Sequence, residues 1–193
     1  HKEYRRQRQM CIRDRHIIVH DLDNFKEKEL EKNGASIAKN LNELFNVADV
    51  IITCLPGGDF VKEIYLGEKK IVSEINPDKL IIDMSTSQPD LMIELNKLIT
   101  KKGSFFADAP IARTRQAAKD GTLAIMVGSK KEVYKRIFPI LEYMGKDIMH
   151  CGDVGTGQMT KILNNMILFE TVVALSEAAN IAEKYDMLSL IHI

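Results

Sequence analysis

Two short, almost wholly apolar runs set the limits on what this chain can fold into. Ala48-Asp-Val-Ile-Ile-Thr-Cys-Leu-Pro56 stops at a Pro-Gly-Gly turn, and Leu80-Ile-Ile-Asp-Met-Ser-Thr86 stops at polar turn residues. Runs of that length, rich in β-branched residues and bounded by breakers, fit strands covered on both faces by other elements. A helix is expected after the second run, with Ser87 as its N-cap, Pro89 in the first turn and Gly103 just past its end. Its apolar residues Leu91, Met92, Leu95, Leu98 and Ile99 fall on one stripe.

The alternation continues. Ser104–Pro110, Leu123–Gly128 and Ile148–Cys151 read as strands, and a helix carrying Val133, Ile137 and Leu141 separates the last two. His16–Asp21 reads as the first clear strand. Strands alternating with helices of this length predict an α/β fold with a doubly wound, mainly parallel sheet. Gly121 and Gly128, each bordering a strand, are read as turn residues. From Gly155 to about Met187 the pattern is that of one long helix, apolar on more than one face and so in need of covering partners.

Within that helix Lys161 and Asn165 stand four residues apart, which puts them on one face. Ile162, Leu163, Met166 and Ile167 around them predict a largely buried setting, where a lysine rarely goes without a partner. Taken alone, the helix favours a lysine snorkelling past an apolar face, and it is the upstream sequence that points elsewhere. At the other end of the chain, Asp21 closes the first strand, the place where such sheets commonly hold a dinucleotide's adenosine ribose. Leu22 follows it, with no arginine beside it for a 2′-phosphate. This favours NAD over NADP, although Lys26 and Lys28 are near. A plain strand-end turn aspartate explains Asp21 as well.

Four blocks in order carry a family likeness: Ala48–Pro56, Ile82–Pro89, Asp108-Ala-Pro110 through Gly121–Gly128, and Gly155–Asn165. They resemble the β-hydroxyacid dehydrogenases, the group that contains 3-hydroxyisobutyrate dehydrogenase and, more distantly, 6-phosphogluconate dehydrogenase. The likeness spans about residues 16 to 187. It implies a Rossmann-like NAD-binding domain over 16–152 and, from 153 to 187, the start of an all-helical C-terminal domain. By position, Leu55 and Pro56 would lie along the adenosine and phosphate side of the cofactor, and Thr86 would approach the nicotinamide ribose. Lys161 would be the acid/base on the reacting hydroxyl, with Asn164 and Asn165 orienting the substrate.

The chain departs from that pattern in three places. Where the family continues Val-Ser-Gly-Gly after Asp-Ala-Pro, this chain has Ile111-Ala112-Arg113-Thr114. The serine is replaced by Ala112, and Arg113 stands where a glycine is expected. A guanidinium offers a planar fork of donors for carboxylate, sulfonate or phosphate oxygens, so Arg113 and Thr114 are expected to grip a small anionic substrate. The same Arg-Thr pair resembles sulfolactaldehyde reductase, which keeps a sulfonate open beside a carboxylate; a surface arginine opening a helix after Pro110 is the plainer alternative. Second, no glycine precedes Gly34, so the family's first strand and its Gly-x-Gly-x-x-Gly phosphate turn are not found. That strand sits mid-sheet, and without it two strand edges would be left unpaired. Third, the chain stops at Ile193, where the family continues into its helical domain.

Residues 1–15 and 188–193 fit neither periodicity and are set aside as non-native or disordered tails. Arg5, Arg6 and Arg8 form a basic cluster, but in a chain of net charge +0 they give little footprint for nucleic acid, and no such partner is expected. No apolar run approaches membrane-spanning length, so no membrane partner is expected either. The three cysteines are odd in number and suggest neither disulfides nor zinc; Cys54 is read as a small core residue within a strand. His20 and His150 are read as structural.

Together these readings give an NAD-dependent oxidoreductase acting on a small anionic β-hydroxy acid or the matching aldehyde. It is expected to be cytoplasmic and, at full length, a homo-oligomer, with the present chain an incomplete and inactive fragment. A non-catalytic dehydrogenase-fold module for binding or oligomerisation, and a basic-arm nucleic-acid binder, are the alternatives from other classes.

Overall fold

The structure, a computed structural model, describes residues 16–68 and 71–187; the two tails set aside above lie outside the described residues. The strands are β1 (Ile18–Val19), β2 (Ser36–Ile37), β3 (Val50–Thr53), β4 (Leu80–Asp83), β5 (Phe105–Asp108), β6 (Ile111–Ala112), β7 (Leu123–Gly128) and β8 (Gly145–Gly152). The helices are α1 (Asn24–Glu31), α2 (Leu41–Val47), α3 (Gly58–Leu66), α4 (Ile71–Glu74), α5 (Pro89–Lys101), α6 (Arg115–Asp120), α7 (Lys131–Leu141) and α8 (Thr156–Lys184).

β3, β4 and β5 are parallel neighbours, and β4 is buried along its whole length, as its unbroken apolar run demands. β7 runs antiparallel to β5 and β6 and parallel to β8. β5 and β6 are successive stretches along one edge of β7, separated at Pro110, whose carbonyl still accepts from Met126 N at 3.1 Å. One core lies under α3–α5 and is built on Ile51, Tyr65, Ile81, Met92, Leu95 and Phe106. The other joins Ile82, Ile125 and Val127 to Val133, Ile137 and Leu141 of α7, the stripe its sequence period predicts.

β1 and β2 form a separate two-stranded parallel sheet. Among the described residues no strand joins it to the six-stranded sheet. The family's first strand would precede His16, in the stretch that lies outside the described residues.

Several expectations need correction. The run containing β3 is not covered on both faces: Val50 and Ile52 are 37% and 40% exposed, because β3 is an edge strand with only β4 beside it. Cys54 lies just past that strand and is exposed, so it is not a core residue. The cap of α5 is Gln88, not Ser87, since Pro89 occupies the first helical position and sets the cap immediately before it. Gly121 is a left-handed helix cap at φ 61°, as read, whereas Gly128 has no positive φ and is needed for close packing.

α8 departs most from expectation. Ile162, Leu163, Met166 and Ile167 are 41–64% exposed, so beyond its first turns the helix is not buried. By length and composition alone it could also cross a membrane, with mean hydropathy reaching 1.3 over eighteen residues. That corrects the expectation that no segment approaches spanning length. Polar residues interrupt every continuous apolar run in the helix, yet the average over a window remains high.

Candidate active site

The site is built at the carboxyl ends of the central strands, the usual place for a ligand in an open α/β sheet. Thr53, Asp83, Asp108 and Gly128 occupy one row across β3, β4, β5 and β7. Thr53 Oγ1 donates to Asp83 Oδ1 at 2.6 Å, and Ser85 Oγ donates to the same oxygen at 2.8 Å. Ser85 Oγ in turn accepts from Leu55 N at 2.9 Å, which fixes the Leu55-Pro56 turn against the end of β4. Asp83 is fully buried and its Oδ2 has no hydrogen-bond partner; burial pushes its carboxyl above the ordinary carboxylate range.

Asp108, also fully buried, holds the start of α8. Its Oδ1 accepts from Gly155 N at 2.7 Å and its Oδ2 from Gln158 N at 2.8 Å. A carboxylate here satisfies orphan amides and opposes the positive end of the helix. Desolvation nevertheless outweighs those bonds, and its pKa is raised to about 6. The approach leaves no room for side chains: a Cβ on Gly128 would meet Asp108 Oδ1 at 2.3 Å, and one on Gly157 would meet Met126 O at 2.4 Å.

Gln158, wholly buried, spans the loop after β4. Its Nε2 donates to Ser85 O at 2.7 Å, and its Oε1 accepts from Ser87 N at 3.0 Å. Thr86, between those two anchors, is left exposed. Lys161 follows Gln158 by three residues and lies on the same side of α8. It is half-buried, and desolvation lowers its pKa from the ordinary lysine value. Asn165, one turn further on, is half-buried too, whereas Asn164 is exposed.

The fold thus ties the Leu55-Pro56 turn, Thr86 and the start of the Lys161 helix into one network. Other predicted residues stand apart from it. Asp21 follows β1 on the smaller sheet, where its Oδ1 accepts from Asp23 N at 2.8 Å and its Oδ2 lies 3.7 Å from Lys26 Nζ. Ala112 is half-buried in β6. Arg113 takes φ 88°, a left-handed conformation that explains why a glycine is expected there. Its guanidinium pairs with Asp147 and donates to Thr122 O at 2.6 Å. Thr114 caps α6, its Oγ1 accepting from Ala117 N at 3.3 Å. His150 stacks on Tyr134 with ring centroids 4.6 Å apart and is held at Ser129 O, while His20 faces Glu27 at 3.2 Å.

The residues present suit the two ends of a dinucleotide. Asp21 offers an exposed carboxylate for a ribose, and Thr86 an exposed hydroxyl between two pinned backbone groups. No glycine-rich turn for the pyrophosphate occurs among the described residues before Gly34. No sequence pattern singles out Asp83, Asp108 or Gln158 for the site; the signal for the two aspartates is a carboxylate at the end of a buried strand, and Gln158 has none.

Residues 7–152 match the family described as the NAD binding domain of 6-phosphogluconate dehydrogenase, and the chain belongs to that family, in its β-hydroxyacid dehydrogenase branch. It is 39% identical to a probable mitochondrial 3-hydroxyisobutyrate dehydrogenase of Dictyostelium discoideum, over 89% of this chain and 53% of that protein. It is 34% identical to 2-(hydroxymethyl)glutarate dehydrogenase of Eubacterium barkeri, over 84% of this chain and 54% of that one. Among solved structures, 3-hydroxyisobutyrate dehydrogenase of Mycobacterium tuberculosis with L-serine superposes with a TM-score of 0.86 at 31% identity, covering 95% of this chain and 62% of that chain. The chain spans about half the length of the curated relatives it matches.

Proposed function

We propose that this chain forms the nucleotide-binding part and first spine helix of an NAD-dependent oxidoreductase of the 3-hydroxyisobutyrate dehydrogenase type. The observation that carries the reading is the half-buried Lys161, one turn beyond a glutamine that grips both flanks of Thr86. When bound, the nicotinamide supplies the hydride acceptor or donor. Lys161 takes the proton of the substrate hydroxyl during oxidation and returns it during reduction, a role suited to an amine whose pKa burial has lowered. Asn165 orients the same oxygen, and Asn164 sits beside it. Asp21 favours NAD over NADP.

The substrate is a small anionic β-hydroxy acid or the matching aldehyde. Arg113 and Thr114 are its proposed anion clamp, and a sulfonate is the alternative to a carboxylate. The pairing of Arg113 with Asp147 makes the clamp conditional on that ion pair opening or being shared. The full-length protein is proposed to be a cytoplasmic homo-oligomer without nucleic-acid or membrane partners.

The 193-residue chain alone is proposed to bind NAD poorly and to be inactive, because it offers no glycine turn before Gly34 and, among the described residues, its sheet is interrupted. That interruption is also what favours the second reading, a non-catalytic module on the dehydrogenase fold. Assaying the full-length protein with NAD and NADP against 3-hydroxyisobutyrate and sulfolactate tests these readings. NAD-linked oxidation of either compound supports the enzyme and identifies its anion. No turnover of either compound or of related hydroxy acids, with cofactor binding intact, supports the module.

A further inference from the structure

The buried polar cluster joining β4, β5 and α8 has no assigned role in the chemistry proposed above. It is costly to maintain. A fully buried carboxylate and a fully buried amide must each be matched atom for atom, and an apolar packing would avoid that demand. What the cluster does hold is geometry. Asp108 fixes the first turn of α8 to the sheet through two backbone amides, and Gly128 and Gly157 let the helix approach without an intervening side chain. Gln158 then connects that turn to Ser85 and Ser87, which bracket Thr86.

We propose that Asp108 and Gln158 are positioning residues that set the distance and angle between Lys161 and the nicotinamide-facing loop around Thr86. This rests on the reading of Lys161 as the acid/base. An amide is the fitting side chain for the task, because one planar group both donates to the Ser85 carbonyl and accepts from the Ser87 amide. Neither bond can be lost without freeing one flank of Thr86. Beyond its first turns α8 is exposed, so at its sheet-facing end this network, together with the close glycine packing, sets where the lysine stands.

The test compares Asp108→Asn, Gln158→Leu, Gln158→Glu and Lys161→Ala in the full-length protein, measuring kcat, KM, cofactor affinity and melting temperature. Asp108→Asn removes a buried charge but spoils one acceptor. It is expected to melt no lower than the parent while kcat falls about tenfold or more and cofactor affinity stays within about threefold. Gln158→Leu is expected to lose about 100-fold in kcat. Gln158→Glu keeps the shape and, as a neutral acid, both bonds, and is expected to recover most of that rate. Should Gln158→Leu fail to fold, Asp108→Asn carries the decision.

Parent-like kcat in folded Asp108→Asn and Gln158→Leu overturns the proposal. So does a loss of rate that merely tracks melting temperature through the series. Parent-like activity in Lys161→Ala would instead overturn the assignment of the base itself, and the positioning role with it.

Discussion

The two sheets of this molecule are built from the same strand–helix–strand alternation, yet only one of them has an interior. In the six-stranded sheet Ile81, Ile82, Ile125 and Val127 are wholly buried between helices. In the two-stranded sheet, the connecting α1 leaves Phe25 77% and Leu30 46% exposed, and Leu22 just before it is 96% exposed. The connecting helix, Asn-Phe-Lys-Glu-Lys-Glu-Leu-Glu, carries only two apolar residues, and among the described residues its two strands have no further neighbours. A parallel strand gains its stability from partners on both edges and cover on both faces, and a two-residue pair has little of either. The cofactor residue expected on that sheet, Asp21, is consequently the one least fixed to the rest of the site.

The largest effect expected from this contrast is catalytic. Lys161→Ala should lower kcat by ~10²–10⁴-fold, the range for loss of a positioned acid/base, while steady-state cofactor binding is retained. Asp21→Ala, on the weakly held sheet, should act mainly on cofactor affinity.

Core truncation comes next. Ile81→Ala should cost about 2–5 kcal/mol in a denaturant titration, whereas Phe25→Ala should cost less than about 0.5 kcal/mol. Equal costs at the two positions would abolish the contrast between the sheets.

The pH dependence of stability sharpens it further. Asp108 has its folded-state pKa raised from 3.8 to about 6. The folded protein therefore binds this proton more tightly than the unfolded chain. The stability from this group is fully present below about pH 3.8 and is lost as pH rises through about 6. Asp83 is shifted in the same direction, also chiefly by burial. For Asp108 the expected gain on acidification across that whole window is about 3 kcal/mol. It should appear as a rising melting temperature between neutral pH and pH 5, and should be much reduced in Asp108→Asn.

The smallest effect expected is at Arg113. A non-glycine residue in the left-handed region costs roughly 1–2 kcal/mol, and an exposed ion pair returns roughly 0–1 kcal/mol. Arg113→Gly should thus leave stability unchanged or raise it by about 1 kcal/mol. If the residue clamps the substrate, KM for the anion rises at the same time.

Much of the larger sheet was legible because its elements obey their periods. Val133, Ile137 and Leu141 mark the buried face of α7, and the unbroken run Leu80–Asp83 marks a strand buried on both sides. The positions of Lys161, Thr86 and Leu55 followed from family blocks, and the fold brings their surroundings into one network. What could not be read was the network itself. Asp108 and Gln158 act through hydrogen bonds between residues 47 to 73 positions apart, which no local pattern encodes. The exposure of Cys54 and Val50 was hidden for a related reason, since an apolar run does not reveal whether its strand will lie at an edge.

The most direct test of the account is the pH profile of hydroxy-acid oxidation by the full-length protein, parent against Lys161→Ala. The account predicts that the parent loses activity toward acid as one group protonates, with a midpoint below the ordinary lysine value of about 10.4. It also predicts that the variant is slower by ~10²–10⁴-fold and lacks that step. A variant that keeps the parent's rate and the parent's acid limb would contradict it, and would move the chemistry off α8 altogether.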